Sequence, residues 1–243
     1  MPTLSVVIPV KDDAALLDRC LRALATQTRA ADEIVVVDNG SADDSAGVAR
    51  RHGAVVIDEP STGIPAASAA GYDSASGEII ARLDADCVPS PDWLQSVEAS
   101  LLEWPEAVAV TNGARFIDGP RLLRGASGAV YLGAYFSTMS LALGHVPLFG
   151  SNFAMRRSGW LAVRRDVHRS DSMVHDDVDL SFHLGPENVI RRDPRLTMGI
   201  SMRPLLRGGR AVRLVRGFHS LRVHWPEQLP WRRIARRLRA AAH

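Results

Sequence analysis

The chain has 243 residues, of which 46% are hydrophobic and 23% are charged. This composition excludes a wholly disordered or fibrous chain and leaves room for one large domain or two small ones. The net charge of +2 hides an uneven distribution, because residues 1–200 carry 18 basic and 26 acidic residues whereas residues 201–243 carry 11 arginines and one glutamate. We therefore expect an acidic body that holds cations or neutral ligands, and a basic end that meets an anionic partner.

Cysteine content and the first residues bear on the compartment. Cys20 and Cys87 are the two cysteines, and they lie far apart without metal-ligand spacing. Two thiols in a chain of this length form no disulfide framework, so a reducing, cytoplasmic compartment is expected. The N-terminal segment has no basic region before its short apolar run, which predicts a buried first strand rather than a signal peptide.

Short apolar runs alternate with helical patterns over the first ninety residues. The apolar runs predict buried strands at Leu4–Val10, Glu33–Asp38, 54–57 and 79–83. Helical spacing and turn residues predict helices at 14–26, after a cap at Ser41 or Asp43, and at 64–76. Repeated strand–helix units imply right-handed crossovers and an open parallel sheet covered by helices.

Beyond residue 90 the alternation loosens. Further helices are predicted at 91–104, 128–143, 157–166 and 176–184, with a strand at 107–111. Residues 125–155 contain no Asp, Glu, Lys or Arg, but serines, glycines and Pro147 interrupt this run. A buried or interfacial helix at 128–143 is therefore favoured over a membrane span, which needs about 20 predominantly apolar residues.

Acidic residues follow three of the predicted strands: Asp12 the first, Asp38 the second, and Asp84 and Asp86 the fourth. One such residue is often only a turn or cap residue. In open parallel sheets, however, ligands bind beyond the carboxyl ends of the strands, where these acids lie. Alternate residues of an extended segment face the same way, so Asp84 and Asp86 can offer two carboxylates to one hard cation such as Mg²⁺ or Mn²⁺.

Five sequence motifs occur in an order and spacing that resemble those of family 2 glycosyltransferases with the GT-A fold. They are Ser5-Val-Val-Ile-Pro-Val-Lys-Asp12, Val37-Asp-Asn-Gly-Ser41, Gly77-Glu-Ile-Ile-Ala-Arg-Leu-Asp-Ala-Asp86, Gly150-Ser-Asn-Phe-Ala-Met-Arg156 and Asp176-Asp-Val-Asp-Leu-Ser181. The resemblance implies an α/β fold with a Rossmann-like, mostly parallel sheet flanked by helices. It implies a glycosyltransferase domain at 1–200, with a nucleotide-binding half at 1–90 and an acceptor half at 91–200, followed by a basic extension at 201–243.

The resemblance also implies which residues bind the nucleotide sugar. Asp38 would recognise the nucleobase, Asp84 would contact the ribose or donor sugar, and Asp86 would hold the divalent cation that bridges the diphosphate. Arg82 could contact a phosphate. The expected donor-binding residues are Pro9, Val10, Lys11, Asp12, Asp38, Arg82, Asp84, Ala85 and Asp86.

On the acceptor side, Asp177 matches the catalytic base, the second acid of a pair usually written Glu-Asp, and Asp176 takes the place of the first. Acids at this position could instead only stabilise a helix N-terminus. Gly150, Ser151 and Asn152 match the wall that contacts the donor sugar or acceptor, although a tight glycine turn entering a strand explains them equally well. The processive Gln-x-x-Arg-Trp motif is absent from the sequence, which favours one sugar per binding event.

Two features of the basic extension leave alternatives open. His219 or His224 could complete the metal shell of Asp86, with Asp84 as a further ligand, but ordinary packing beside aromatics is the simpler reading. Residues 231–242 form a basic amphipathic helix with Trp231, Ile234 and Leu238 on one face. Such a helix could lie on an anionic membrane surface, face the donor diphosphate, or pack on the acidic body; no nucleic-acid partner is expected.

The sequence thus predicts a metal-dependent, inverting, non-processive glycosyltransferase of the hexosyltransferase type. Its donor would be a nucleotide-diphosphate sugar, and its acceptor a hydroxyl group on a lipid-linked or cell-envelope glycan at the inner face of the membrane. A sugar nucleotidyltransferase is disfavoured because no Gly-rich, basic phosphate loop lies between Pro9 and Asp13. A non-catalytic nucleotide-sugar binding module and a membrane-surface scaffold remain alternatives.

Overall fold

A computed structural model of the protein describes residues 1–119, 126–203 and 210–240. The described strands are β1 (Leu4–Val10), β2 (Glu33–Asp38), β3 (Val55–Asp58), β4 (Ile79–Arg82), β5 (Val88–Pro89), β6 (Ala107–Thr111), β7 (Arg115–Phe116), β8 (Phe153–Arg156), β9 (Val189–Arg192) and β10 (Met198–Ile200). The described helices are α1 (Ala14–Ala25), α2 (Ser45–Arg51), α3 (Ile64–Ser74), α4 (Trp93–Glu103), α5 (Ala126–Leu143), α6 (Arg157–Val163), α7 (Asp176–Leu184), α8 (Arg210–Arg222) and α9 (Pro230–Ala240).

Seven strands form a central sheet in the order β3-β2-β1-β4-β8-β6-β9, and β5, β10 and β7 form a small second sheet. Strand β1 is parallel to both β2 and β4, whereas β8 is antiparallel to both β4 and β6. The predicted mostly parallel sheet flanked by helices is therefore confirmed. Because β8 runs in the opposite direction, its first residue, Phe153, pairs with Arg82 at the carboxyl end of β4. This register brings the segment before β8 to the edge of the sheet where β1, β2 and β4 end.

Alternate residues of β1 enter the core on opposite faces of the sheet. Val6 and Ile8 pack with α1 residues such as Leu17, whereas Val7 packs with the face that α3 covers. On that second face Gly71 of α3 lies directly against β1, since a Cβ at Gly71 would lie 2.4 Å from Val7 Cγ1 and 2.9 Å from Val37 Cγ2. A glycine is needed at this point because it lets α3 approach the sheet closely.

Most predicted elements agree with the structure, and some boundaries differ for physical reasons. Helix α2 begins at Ser45, and Asp44 takes the N-cap position in place of the predicted Ser41 or Asp43. Asp43 still binds the start of the helix, since its Oδ1 accepts the N–H of Ser45 at 3.0 Å. Its Oδ2 accepts the N–H of Ala14 at 2.9 Å and so ties the start of α1 to the loop before α2. Helix α3 ends at Ser74, two residues early, because the following turn bonds to the sheet: Ser76 N–H donates to Glu33 Oε2 at 2.9 Å.

Helix α5 covers the run without charged residues. Among its described side chains Leu132, Phe136 and Leu143 are buried, whereas Val130 and Leu141 are exposed. This mixture agrees with the predicted buried or interfacial helix. Across the described parts of the chain, no helix has both the length and the apolar character needed to cross a bilayer.

The basic extension packs on the body of the protein. Arg233 of α9 is 5% exposed and donates hydrogen bonds to the carbonyl oxygens of Leu143, at 2.7 Å, and Phe182, at 3.1 Å. These carbonyls belong to the last turns of α5 and α7, where a cation is favoured by the helix dipole. Trp231 and Ile234 remain 64% and 40% exposed, so part of the predicted apolar face points outward. The side chain of Leu238, the third residue of that face, lies outside the described residues.

The close approach of α3 to the sheet predicts opposite effects for two glycine-to-alanine substitutions. Gly71→Ala should lower the free energy of unfolding by about 1–3 kcal/mol, because the new methyl group overpacks a rigid contact. Gly133→Ala, in α5 where a Cβ meets no atom within 4 Å, should raise it by about 0.5–1 kcal/mol through helix propensity. Urea denaturation of both variants measures the difference, and equal effects would contradict the packing described.

Candidate active site

The centre of the candidate site is the guanidinium group of Arg82, at the end of β4. Arg82 is 2% exposed, and its Nη2 lies 3.0 Å from Asp84 Oδ1 and 3.3 Å from Asp176 Oδ2. Burial lowers the pKa of Arg82, but the two carboxylates more than offset this effect, so the pKa is raised and the group stays charged. Arg82 thus joins the acids after β4 to the acids at the start of α7.

The segment before β8 completes this contact. Ser151 donates its hydroxyl hydrogen to Asp84 Oδ2, at 2.6 Å, so both oxygens of Asp84 are engaged. A Cβ at Gly150 would lie 2.3 Å from Arg82 Nη1 and 3.1 Å from Asp177 Oδ2. The close approach of the chain at residue 150 to these charged groups therefore requires glycine. This is a stronger constraint than the tight turn considered in the sequence analysis.

Asp177 lies in the first turn of α7, next to Arg82 and Gly150. Its Oδ2 accepts the backbone N–H of Gly150 at 2.8 Å and lies 3.3 Å from the hydroxyl group of Tyr135. Burial and the neighbouring Asp176 carboxylate raise the pKa of Asp177. A carboxylate with a raised pKa is a better proton acceptor than an ordinary aspartate, as general-base catalysis requires.

Asp86 lies two residues beyond Asp84 and faces a different set of charges. Carboxylate oxygens of Asp84 and Asp86 and the Cys87 thiol lie within 4.8 Å of one another. The Arg203 guanidinium contacts Asp13 through two bonds, at 2.8 and 3.0 Å, and lies 3.6 Å from Asp86. Burial and the Asp84 charge nevertheless raise the pKa of Asp86 to about 6, so this carboxylate gains by binding a cation.

The residues expected to hold a nucleoside lie at the ends of β1 and β2. Asp12 adopts a left-handed backbone conformation, with φ of 53°, and its Oδ1 accepts the N–H of Ala42 at 2.6 Å. Asp38 Oδ1 accepts the N–H of Ser41 at 2.9 Å, and Ser41 in turn accepts the N–H of Asp12 at 3.0 Å. The loops after the two strands are thus fastened together, beside Pro9, Val10 and the exposed Lys11. Ala85 is buried between Asp84 and Asp86.

Three residues proposed from sequence are directed elsewhere. The Asn152 side chain is fully buried, where it accepts from Trp93 Nε1 and donates to the carbonyls of Gly113 and Leu196, so it braces the fold instead of facing a substrate. His219 pairs with Asp171 at 2.7 Å. Both ring nitrogens of His224 contact other groups, Ser220 O and Asp179, so neither histidine joins Asp86 in this structure.

Three further residues complete the site and were not singled out from sequence. Arg203 contacts Asp13 and Asp86, Tyr135 lies beside Asp177, and the Ser68 hydroxyl donates to Asp176 Oδ2 at 2.8 Å. Ser68 is the one hydroxyl residue in the run of small residues at 66–70, which was the available signal. Tyr135 carries a polar hydroxyl group within a run that lacks charged residues, and this was a weaker signal.

Comparison with solved structures identifies the architecture. The mannosyltransferase PcManGT from Pyrobaculum calidifontis, crystallised with GDP-Man and Mn²⁺, aligns with 96% of this chain and 68% of its own, at a TM-score of 0.69 and 21% identity. Glucosyl-3-phosphoglycerate synthase from Mycobacterium tuberculosis, with Mn²⁺, UDP-glucose and phosphoglyceric acid, aligns with 90% of this chain and 78% of its own, at a TM-score of 0.62 and 23% identity. The fold is that of GT-A glycosyltransferases.

Sequence comparison extends this result from fold to family. The glycosyltransferase AglE of Haloferax volcanii is 37% identical over 103 residues, which cover 39% of this chain and 34% of that protein. Validoxylamine A glucosyltransferase of Streptomyces hygroscopicus subsp. jinggangensis is 41% identical over 108 residues, which cover 41% of this chain and 26% of that protein. The chain thus spans about a third or less of the length of these relatives. The model of glycosyl transferase family 2 matches residues 5–164, more than half of the chain, and the chain belongs to this family.

The raised pKa of Asp86 predicts a pH-dependent gain in stability when its charge is removed. The folded protein binds this proton up to about pH 6, whereas an unfolded aspartate releases it near 3.8, so wild-type stability falls as the pH rises between these values. In metal-free buffer above pH 6, the free energy of unfolding of Asp86→Asn should therefore exceed that of wild type by on the order of 2 kcal/mol. Urea denaturation measures the difference.

The same comparison supplies its own control. The advantage of Asp86→Asn should vanish near pH 4, where the wild-type carboxyl is protonated in the folded state. Asp166→Asn, at an exposed position after α6, should show no such pH-dependent gain. An advantage that is constant from pH 4 to pH 7 would contradict the assignment of the effect to the Asp86 charge.

Proposed function

We propose that this protein is a metal-dependent, inverting, non-processive glycosyltransferase that moves a sugar from a nucleotide-diphosphate sugar to a hydroxyl group. The observation that carries the proposal is the link through Arg82, which sets the acids after β4 and the acids of α7 side by side at the edge where β1 and β4 end. One cluster therefore contains both a carboxylate pair that could hold a cation and a separate carboxylate with a raised pKa.

The carboxylates of Asp84 and Asp86 fit a divalent cation. Their ligand atoms are oxygens, which Mg²⁺ and Mn²⁺ prefer, and Asp86 is a buried acid with a raised pKa next to a second carboxylate. The Mn²⁺ present in the structures of the mannosyltransferase and of glucosyl-3-phosphoglycerate synthase supports the same choice of metal. When bound, the cation would neutralise charge on the diphosphate leaving group. Asp86 would be its principal ligand, and Arg203 would contribute positive charge at the same place.

Asp38, Asp12 and the backbone of Pro9, Val10 and Lys11 would hold the nucleoside. The bond network of Asp12, Ser41 and Asp38 keeps these groups fixed before the donor arrives, which lowers the entropy lost on binding. Arg82, held between Asp84 and Asp176, would keep Asp84 oriented towards the ribose or sugar. Ser151 would assist by holding the second oxygen of Asp84.

Asp177 would act as the general base. As the acceptor oxygen attacks the anomeric carbon, its proton passes to Asp177, the new carbon–oxygen bond forms, and the bond from the anomeric carbon to the diphosphate oxygen breaks with its electron pair. Attack opposite the leaving group inverts the configuration at that carbon. Gly150 leaves room beside Asp177, and its N–H holds the carboxylate in place. Asp176 would keep Arg82 and Ser68 in position behind the base.

We also propose that the acceptor is a lipid-linked or cell-envelope glycan at the inner face of the membrane. The supporting observation is the outer surface of α9, where Trp231 and Ile234 are exposed together with Arg232. Aromatic and aliphatic groups beside an arginine suit an anionic lipid surface. The division of the chain at residue 200 stays a prediction, and Arg233 ties α9 to the preceding part of the chain.

Two substitutions test the assignment of roles at the site. A thermal-shift screen of nucleotide sugars with Mn²⁺ first identifies the donor, since a ligand at about 100 times its Kd stabilises by about 2.7 kcal/mol. Asp177→Asn should keep the Mn²⁺-dependent donor shift but lower turnover, including slow donor hydrolysis, by about 10²–10⁴-fold. Asp86→Asn should lose both the donor shift and turnover.

Asp166→Asn, exposed on the turn after α6, is the matched control and should behave as wild type. A protein that binds donor with Mn²⁺ but never hydrolyses or transfers it would be a binding module. Wild-type turnover in Asp177→Asn would overturn the proposed base. Transfer of a nucleotidyl group to a sugar phosphate would replace the proposal with a nucleotidyltransferase.

Flotation tests the membrane surface separately. The full chain should float with vesicles containing anionic lipid, and the double variant Trp231→Ser, Ile234→Ser should float several-fold less, because it lacks the exposed apolar groups but keeps Arg233 and its contacts. Phe218→Ser, an exposed aromatic on α8, is the matched control. Equal flotation of wild type and the double variant would reject α9 as the lipid contact.

A further inference from the structure

A cluster of three histidines and one aspartate lies behind α7 and takes no part in the site described above. Asp179 and His183 occupy successive turns of α7, His168 belongs to the segment before α7, and His224 follows α8. One potential ligand atom from each of these four side chains lies within 4.8 Å of all the others. The cluster therefore joins three segments that are separate in sequence.

The distances resemble those of a four-coordinate metal site. Asp179 Oδ1 lies 2.7 Å from His168 Nδ1, 3.1 Å from His224 Nε2 and 3.5 Å from His183 Nε2, and the two Nε2 atoms are 3.4 Å apart. Ligands placed tetrahedrally around zinc at 2.0–2.1 Å are separated from one another by about 3.3 Å. Three of these four separations, 3.1, 3.4 and 3.5 Å, lie close to that value, and the 2.7 Å contact is a hydrogen bond that a bound cation would replace.

The hydrogen bond of His224 fixes its tautomer and leaves an electrostatic conflict. Nδ1 lies 2.8 Å from the carbonyl oxygen of Ser220, which can only accept, so Nδ1 carries the proton. In a neutral ring Nε2 then presents a lone pair, yet it faces the Asp179 carboxylate and the Nε2 of His183. A hydrogen-bond donor or a cation must therefore lie between these acceptor atoms: a proton on His183 or His224, or a metal ion.

The cluster is enclosed by the protein. The side chains of His224 and Asp179 are 2% and 4% exposed, so Nε2 of the imidazole and Oδ1 of the carboxylate face each other away from bulk water. Buried charged groups in proteins are paired or coordinate metals. The ring of Phe182 stacks on His224 at 4.0 Å and holds it in this orientation.

We propose that His168, Asp179, His183 and His224 form a structural site for a transition-metal dication, with Zn²⁺ as the best match. Three imidazole nitrogens and one carboxylate oxygen are ligands that zinc accepts, whereas the carboxylates of Asp84 and Asp86 suit harder cations. His168 is 37% exposed, which gives the ion a route from solvent. Four protein ligands close the site, so the ion would fix α7, and with it Asp177, without joining the chemistry.

Cobalt titration of the full chain tests this site directly, with no need for donor or activity. After removal of metals by a chelator, one equivalent of Co²⁺ should give the strong visible absorption of four-coordinate Co²⁺, and Zn²⁺ should abolish it. Asp86→Asn should retain the band, because that substitution alters only the oxygen site. His224→Gln and His183→Gln should weaken Co²⁺ binding by at least ~10–100-fold, the range already seen when only an outer-shell partner is lost.

His52→Gln is the matched control, since His52 pairs with Asp18 outside the cluster, and it should keep the band. Because His224 is buried, His168→Gln, at the most exposed ligand, provides a second test in a variant that should fold, as judged by circular dichroism. A folded wild type that gives only weak absorption, or absorption that disappears in Asp86→Asn, would overturn the proposal. So would strong bands that persist in folded His168→Gln and His183→Gln.

Discussion

The buried guanidinium group of Arg82 is the interaction on which the arrangement of the site depends. A charge removed from water is costly unless it is paired, and Arg82 is paired on two sides, by Asp84 just after β4 and by Asp176 from α7. Without it, these carboxylates would repel each other and the buried Asp177 next to them. Gly150 belongs to the same constraint, because any side chain there would displace the guanidinium. The distance between the acids proposed to bind the cation and the proposed base is therefore set by one arginine and one glycine.

The uneven charge of the sequence has a structural counterpart. Arg203 and Arg233, both from the basic extension, point towards the body, where they meet acidic groups in one case and helix carbonyl oxygens in the other. Part of the positive charge of the extension thus neutralises the protein's own acids. This agrees with the alternative in which the basic extension packs on the acidic body. The exposed Arg232 of α9 lies beside Trp231 and near Ile234, where it stays available to an external anionic surface.

How far the sequence could predict this molecule depends on the range of the interactions involved. Strands such as Leu4–Val10 and the acids that follow them are encoded by local apolar runs, and their position at the sheet edge follows from parallel pairing. Asn152 could not be placed, because its amide is satisfied by Trp93, Gly113 and Leu196, which are distant in sequence. The partners of Arg203 and His224 were equally hidden, since one residue reaches Asp13 and the other Asp179 only after the chain has folded.

Strand β8 has a consequence for the order in which the molecule assembles. It enters the sheet between β4 and β6, so residues about seventy positions apart must meet before the sheet is continuous. The pairing of β1 with β2 closes a short loop, whereas β1 with β4 and β4 with β8 both join residues more than seventy positions apart and cost more chain entropy. A nascent chain with its first four strands paired would hold Asp84 and Asp86 but lack Ser151 and Asp177. The proposed cation site would thus form before the proposed base is in place, because the position of the base requires the completed sheet.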